Sequence, residues 1–119
     1  MERIVKTMAP LSRTYEIIIV DNGSYDSTPV TLNKILKEYK ELVALTLTGN
    51  FGYDGAIIAG FEYARGRRII VMDGDQEDPP ELLPRFIAKS EEGFDIVYGI
   101  RTKRTENWLI SILIKFFII

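Results

Sequence analysis

Apolar and polar positions along the chain predict strands and helices in alternation. Short runs of apolar, largely β-branched residues predict four strands, at 15–20, 42–47, 68–72 and 95–98. Apolar residues at helical spacing predict helices before Pro10, from Thr28 onward, over 54–64 and between Asp78 and Gly93. This alternation is typical of an α/β layered domain with a mostly parallel sheet, and we expect that fold class.

Local signals predict where two of these helices begin. Thr28 and Pro29 predict an N-cap followed by the first helical position. Asp78, Pro79 and Glu81 predict a second start, with Asp78 as the N-cap and Glu81 as its capping-box partner.

Composition narrows the chemistry that such a domain can perform. The 119 residues are 46% apolar and 27% charged, which is the balance of one folded domain. The chain has neither cysteine nor histidine, which excludes thiol catalysis, cysteine-based metal sites and histidine as a general base. Any reaction must therefore depend on carboxylates, amides, hydroxyls, lysine, arginine or a bound ion.

Charge is distributed unevenly along the chain. The net charge is −2, yet residues 101–119 carry +3, and residues 73–81 hold five acidic side chains without a basic one. Because the overall charge is weak and no basic stripe is present, we expect no nucleic-acid partner. An acidic segment followed by a basic one hints at a binding site, although two solvated faces also account for it.

The chain ends in an apolar tail at 109–119, interrupted by Ser111 and Lys115. A bilayer-spanning helix needs about 20 residues, so this tail is too short to span. Three interpretations stay open: the start of a longer hydrophobic segment, an interfacial helix or a buried final helix. Because the apolar run continues to the last residue, we expect the sequence to be part of a longer protein.

Acidic turns follow two of the predicted strands. Val20 leads into Asp21, and Met72 leads into Asp73 and Asp75. Ligands of open α/β sheets bind beyond the carboxyl ends of the strands, so we expect both turns at one edge of the sheet. Asp73 and Asp75 could share one hard cation, Mg²⁺ or Mn²⁺, although a solvated turn would have the same sequence.

Three further features are candidates for ligand contact, and each has a purely structural alternative. Asp21 could accept a hydrogen bond from a ligand, or it could serve the turn. The glycine-bearing loop at 50–52 could approach a ligand, or it could be a tight turn. Arg101 and Arg104 could hold a phosphate, or they could lie in a solvated basic patch. We interpret Tyr53, Tyr63 and Trp108 as packing or interface residues.

Four motifs, in order along the chain, are together more specific than any one of them. Residues 20–28 resemble the pattern VDDGSxDxT, 50–52 resemble RNFG, and 72–81 resemble MDxDLQDPPE, while the helical segment 59–64 adds a fourth match. Through these motifs the chain, from about Ser12 to Trp108, resembles the family 2 inverting glycosyltransferases. Within that family it is most similar to the polyprenyl-phosphate sugar synthases.

The resemblance implies a partial GT-A fold and a set of site residues. It implies a nucleotide site formed by Asp21, Asn22, Gly23, Ser24, Asn50 and Gly52, with Asp21 near the base. It makes Asp73 and Asp75 the catalytic residues, which would hold Mg²⁺ or Mn²⁺ on the donor diphosphate with Glu77 as a further ligand. Arg101 and Arg104 would meet the phosphate of the acceptor.

The resemblance also implies an activity: a metal-assisted, inverting transfer of a hexose from a nucleotide-sugar donor to a polyprenyl phosphate. The acceptor lies in the bilayer, which implies a position on the cytoplasmic face of the cell membrane, and homo-oligomers are an option. Residues 1–108 would form a partial nucleotide-sugar-binding domain, and 109–119 would form a membrane-proximal tail.

Four positions depart from the family's pattern. Glu77 replaces a glutamine, Gln76 a leucine, Gly49 an arginine and Asn22 a second aspartate. The family's first strand would precede Met1 and its acceptor half would follow Ile119. Two other hypotheses stay open: an inactive fragment that retains a nucleotide and metal half-site, and an unrelated α/β regulatory domain with an acidic metal pocket.

Overall fold

A computed structural model describes residues 1–75, 77–100 and 114–118 of the chain. In these ranges the elements are α1 (Glu2–Met8), β1 (Glu16–Asp21), α2 (Thr28–Ile35), β2 (Leu42–Thr46), α3 (Gly52–Tyr63), β3 (Ile69–Asp73), α4 (Leu83–Glu91) and β4 (Ile114–Ile118), with 3₁₀ turns at Ala9–Leu11 and Pro80–Leu82. The predicted α/β class is confirmed. None of the helices in this part of the chain has the length and apolarity needed to cross a bilayer.

The strands form one sheet in the order β2-β1-β4-β3. β1 pairs with β2 in parallel, and β4 lies antiparallel between β1 and β3. β1, β2 and β3 therefore run in one direction and β4 is reversed, which gives one parallel and two antiparallel strand pairs. Ile114 of β4 lies opposite both Val20 and Asp73, so β1 and β3 end at the same edge.

The fourth strand is not where the sequence predicts it. Residues 94–100 contain no strand, so the prediction at 95–98 is wrong. A strand needs a neighbour to complete its backbone hydrogen bonds, and this segment forms no ladder with any described residue. Its apolar side chains are largely exposed, with Tyr98 at 81% and Ile100 at 87%.

The fourth strand comes from the apolar tail instead. Residues Ile114–Ile118 form β4, so the two helical interpretations are wrong for these residues. Their isoleucines and phenylalanines favour a strand once a partner is available on each side. Arg101, Arg104 and Trp108 lie outside the described residues.

The described chain divides into two compact units. Among the described residues, the first comprises 1–13 and 79–100, in which α1 packs against the Pro80–Leu82 turn and α4. Its core contains Ile4, Met8, Leu83 and Ile87. The second comprises 14–75, 77–78 and 114–118, and it holds the sheet, α2 and α3.

The predicted capping box is wrong. α4 begins at Leu83 after the 3₁₀ turn, and Glu81 forms two hydrogen bonds with the Arg3 guanidinium instead, at 3.0 and 2.7 Å. A residue before proline is disfavoured in the helical region, and Pro79 is accordingly extended, with ψ 122° before Pro80. The helix therefore cannot begin at Pro79. The start of α2 differs from its prediction by only one residue: Ser27, and not Thr28, is the N-cap.

The second unit is built around β1. All of its residues from Ile17 to Asp21 are buried, in agreement with the continuous apolar run of the sequence. Ala56 of α3 packs against Ile18 and Val20. This packing places the amino end of α3 and the carboxyl end of β1 within the same unit, where the candidate site lies.

Candidate functional site

Asp21 is the last residue of β1 and is 1% exposed. Its Oδ1 accepts a hydrogen bond from the backbone N–H of Ser24 at 3.0 Å, which holds the turn that follows the strand. Its Oδ2 is buried and has no hydrogen-bond partner among the described residues. A buried carboxylate oxygen without a partner costs free energy, so this atom fits a ligand that brings a donor.

Asn22 joins the loop after β1 to the loop before α3. Its Nδ2 donates to Asn50 Oδ1 at 3.1 Å and to the Gly52 carbonyl at 2.9 Å. Its Oδ1 accepts from the backbone N–H of Phe51 at 2.9 Å. Asn50 Oδ1 also accepts from the Gly52 N–H at 2.8 Å. The structure therefore brings together three of the residues predicted for the nucleotide site.

Gly23 brings the same two loops into backbone contact. Its φ is +74°, and a Cβ at this position would lie 2.5 Å from the carbonyl carbon of Gly49. Gly52 has a φ of +76° at the start of α3, with open space around a Cβ. Both residues adopt the left-handed conformation that glycine tolerates best. Gly23 therefore lets the two loops pack against each other, and Gly52 leaves open space beside the start of α3.

The acidic turn after β3 is organised by side chains from either side of it. The Tyr53 hydroxyl donates to Asp73 Oδ1 at 3.1 Å. The Asp73 N–H donates to Asp78 Oδ2 at 3.2 Å, so Asp78 supports this turn and not a helix end. The Glu77 N–H donates to Asp75 Oδ1 at 2.9 Å. These contacts fix the backbone of a turn that carries two exposed or half-exposed carboxylates.

Tyr53 is the site residue that sequence interpretation missed. Its aromatic ring suggested packing, whereas its hydroxyl holds a predicted metal ligand. One signal was available: Tyr53 directly follows the glycine-bearing loop at 50–52, which was a candidate for ligand contact. The second missed residue is Asp78, which the sequence predicted to be an N-cap.

The two acidic turns lie at one edge of the sheet, as predicted. β1 and β3 end on either side of Ile114, two strand spacings apart. Neighbouring strands are about 4.8 Å apart, so the ends of these strands are separated by about 10 Å. This span suits an elongated ligand that meets Asp21 at one end and Asp73 at the other.

The donor set of the second turn fits a hard divalent cation. Asp73 and Asp75 supply carboxylate oxygens, which Mg²⁺ and Mn²⁺ prefer. Within the described ranges no group of three acidic side chains gathers around one point, so Glu77 as a further ligand stays a prediction. Mg²⁺ is commonly held by one or two carboxylates together with substrate phosphates, and Asp73 and Asp75 meet that requirement.

Comparison with known proteins shows the family of this chain. Residues 2–116 match the family described as Glycosyl transferase family 2. An undecaprenyl-phosphate 4-deoxy-4-formamido-L-arabinose transferase of Proteus mirabilis is 38% identical over 109 residues. A protein of the same name from Aeromonas hydrophila is 37% identical. An uncharacterized glycosyltransferase of Synechocystis is 39% identical over 116 residues.

These alignments cover most of this chain and a smaller share of the relatives. They include 91%, 91% and 97% of this chain, but 33%, 33% and 36% of the relatives in the same order. The chain thus spans about a third of the length of the curated relatives it matches. The matches confirm the resemblance inferred from the motifs and exclude an unrelated regulatory domain. The chain belongs to glycosyl transferase family 2.

Proposed function

We propose that this chain contributes the donor-binding part of an inverting glycosyltransferase that moves a hexose from a nucleotide-sugar to polyprenyl phosphate. The observation that carries the proposal is the buried Oδ2 of Asp21, which has no hydrogen-bond partner in the described part of the chain and lies at the sheet edge where the Asp73 turn also lies. Family membership and the relatives' names support it. Two of those relatives are named for a modified arabinose, which is a pentose. Transfer assays with a panel of hexose and pentose nucleotide-sugars would identify the sugar of this chain.

Asp21 is assigned to the base of the nucleotide. A base N–H that donates to Oδ2 would satisfy an atom that is buried without a partner among the described residues. Gly52 leaves open space beside the backbone at the start of α3, where a ligand could approach closely. Asn22, Ser24 and Asn50 belong to the same pair of loops and shape that approach.

The reaction is a displacement at the anomeric carbon. A phosphate oxygen of the acceptor attacks this carbon, the bond to the diphosphate breaks, and the nucleoside diphosphate leaves with the electron pair, which inverts the centre. The acceptor is already anionic and gives up no proton, which agrees with a chain without histidine. Asp73 and Asp75 would hold Mg²⁺ or Mn²⁺, and a bound metal ion offsets the charge that develops on the leaving group.

The acceptor side is assigned to Arg101 and Arg104, with the chain at the cytoplasmic face of the membrane. Each basic residue near an anionic membrane surface strengthens binding to that membrane by about 1 kcal/mol. Flotation with anionic and neutral vesicles tests this assignment. The wild-type chain should float with anionic vesicles, and a variant with Arg101→Glu and Arg104→Glu should not. Flotation that is equal for both proteins would contradict the assignment.

Calorimetric titration with nucleoside diphosphates tests the donor site. UDP and GDP are titrated with and without Mn²⁺, and one of them should bind more tightly with the metal. Asp75→Ala should remove this metal-dependent gain and leave metal-free binding intact. Equal affinity of the wild-type chain in both conditions would contradict the metal assignment.

Asp21→Asn tests the base contact. The Ser24 N–H fixes the amide oxygen at the Oδ1 position, so the amide nitrogen replaces Oδ2 and cannot accept. A hydrogen bond to a charged group contributes about 1.5–3 kcal/mol, so affinity should fall roughly 10–100-fold with or without metal. The control is Glu38→Gln. Glu38 precedes the first residue of β2 and therefore lies toward the amino ends of β1 and β2, at the edge of the sheet opposite Asp21. Equal affinities of these two variants would exclude Asp21 from the site.

Turnover is measured separately from binding. Transfer of labelled sugar to polyprenyl phosphate distinguishes an active chain from a half-site that binds without reacting. Binding with no transfer would favour the inactive half-site, while transfer that is lost with Asp75→Ala would support the full proposal.

A further inference from the structure

Tyr25 is the most exposed of the large apolar and aromatic side chains that the structure describes, at 96%. It lies in the loop between β1 and α2 and directly follows Ser24, a predicted residue of the nucleotide site. Single exposed apolar residues are common on protein surfaces, so exposure alone assigns no role. In this loop, however, contacts on both sides of Tyr25 hold its backbone.

The chain before Tyr25 is held by the end of β1 and by the loop before α3. Asp21 Oδ1 accepts a hydrogen bond from the Ser24 N–H at 3.0 Å. A Cβ on Gly23 would lie 2.5 Å from the carbonyl carbon of Gly49, so the two backbones are in direct contact there. Tyr25 therefore starts from a fixed point beside the buried carboxylate.

The chain after Tyr25 is held by the start of α2. Asp26 Oδ1 accepts a hydrogen bond from the N–H of Thr28, the first residue of that helix, at 2.8 Å. Hydrogen bonds from the side chain and backbone of Thr28 lower the pKa of Asp26, so this carboxylate is ionised at neutral pH. A loop that is already ordered loses little further freedom when a ligand binds, which favours binding.

We propose that Tyr25 stacks on the face of the nucleotide base whose edge donates to Asp21 Oδ2. A nucleobase is planar, with polar atoms along its edge and a π-face that an aromatic side chain can cover. An ionised carboxylate only accepts hydrogen bonds, so Asp21 meets the edge of the base and not its face. The ring of Tyr25 can cover that face without giving up packing in the protein. This stack rests on the proposed function, since it needs a bound nucleotide.

The two contacts would divide the recognition of the base. Stacking strengthens binding of any base, because every base has a π-face. The hydrogen bond to Asp21 selects bases that present a donor at their edge. The pattern VDDGSxDxT leaves the position of Tyr25 open, so the stack would be a property of this chain and not of the motif.

Titration calorimetry in the presence of Mn²⁺ separates the base from the diphosphate. UDP, GDP and inorganic diphosphate are titrated into the wild type, Tyr25→Ala and Tyr25→Phe. Tyr25→Ala should bind the better of the two nucleoside diphosphates roughly 5–150-fold more weakly, the range for one base–aromatic stack, and should bind inorganic diphosphate as the wild type does. Tyr25→Phe keeps the ring and should bind like the wild type. The control is Tyr98→Ala, which removes a ring that is 81% exposed in the other unit and should change no affinity.

Two further readouts test the ring itself. The ring protons of Tyr25 should shift when the nucleoside diphosphate is added and stay unchanged with inorganic diphosphate, because only a base brings a ring current. The urea midpoint of Tyr25→Ala should equal that of the wild type, since the side chain is exposed. Weaker binding by this variant would then not come from unfolding.

Failure of the stack differs from failure of the proposed function. If the wild type binds neither nucleoside diphosphate, the proposed function fails and Tyr25 has no base to cover. If the wild type binds and Tyr25→Ala binds equally well, only the stack is refuted. An equal loss for inorganic diphosphate, or a loss in Tyr25→Phe as large as in Tyr25→Ala, would also overturn it. A loss with Phe51→Ala but not with Tyr25→Ala would assign the face of the base to Phe51, which is 62% exposed on the neighbouring loop.

Discussion

Replacing Gly23 with alanine should destabilise the protein through two separable effects. The first is conformational, because φ is +74° and a left-handed residue with a Cβ costs about 1–2 kcal/mol. The second is steric, because the Cβ would lie 2.5, 2.7 and 2.8 Å from the carbonyl carbon, Cα and oxygen of Gly49. These are backbone atoms that cannot rotate away, and overpacking of this kind costs about 1–3 kcal/mol. We expect a total loss of about 2–5 kcal/mol.

Two other glycines of the same loops separate these effects. Gly52→Ala shares the positive φ, but no atom of the described residues lies within 4 Å of the added Cβ, so its free energy of unfolding should fall by about 1–2 kcal/mol. Gly49→Ala has no positive φ and no described neighbour within 4 Å of its Cβ, so its free energy of unfolding should stay the same or rise by up to about 1 kcal/mol. The difference between Gly23→Ala and Gly52→Ala therefore measures the contact between the two loops.

Urea unfolding followed by circular dichroism gives these free energies, provided that the slopes are the same for all variants. The expected order of stability is Gly49→Ala, then Gly52→Ala, then Gly23→Ala. Equal losses for Gly23→Ala and Gly52→Ala would refute the backbone contact, and with it the arrangement of the nucleotide loops.

Three further predictions concern single side chains. Tyr53→Phe should weaken the Mn²⁺-dependent part of nucleotide binding about 2–10-fold, since one hydrogen bond contributes about 0.5–1.5 kcal/mol; Tyr63→Phe is the control, and calorimetry showing an equal loss without metal would contradict this role. The Arg3 guanidinium lowers the pKa of Glu81, chiefly by hydrogen bonding, so the stabilisation is present above the pKa of Glu81 in the unfolded chain and disappears as the pH falls through the folded pKa. The urea midpoint of Glu81→Gln should thus lie below that of the wild type near neutral pH and meet it in acid; a constant difference would argue against the pair. Glu77→Gln, which restores the residue of the family pattern, should bind nucleotide and Mn²⁺ at least as tightly as the wild type, and a large loss in the same titration would mean that Glu77 has its own role.

Local pattern was sufficient for the elements whose burial shows in their own sequence. β1 is a continuous β-branched run, and it is buried along its length from Ile17. Pattern could not choose between 95–98 and 114–118 as the fourth strand, because both are apolar and suited to a strand. That choice depends on which segment finds β1 and β3 as neighbours, and the neighbours are set by the whole fold.

In the candidate site, too, the sequence predicts some features, while others depend on the tertiary fold. The position of Asp21 and Asp73 follows from sequence, because the carboxyl ends of parallel strands meet at one edge. The partners of Asp73 do not, because the Tyr53 hydroxyl reaches it from a helix 20 positions away in the chain. Asp78 has the local sequence of an N-cap, yet the pair of prolines after it delays the helix and its carboxylate binds the Asp73 N–H instead.

If the loops after β1 and before α3 and the turn after β3 form one donor-nucleotide site, a single ligand should perturb all three. A nuclear magnetic resonance titration of nitrogen-15-labelled protein with Mg²⁺ and nucleoside diphosphate measures this. We expect saturable shifts that are largest at the backbone amides of Ser24, Gly52 and Asp73, with α4 unchanged. Shifts confined to the unit that contains α4, or no saturable shift with any nucleoside diphosphate, would contradict it.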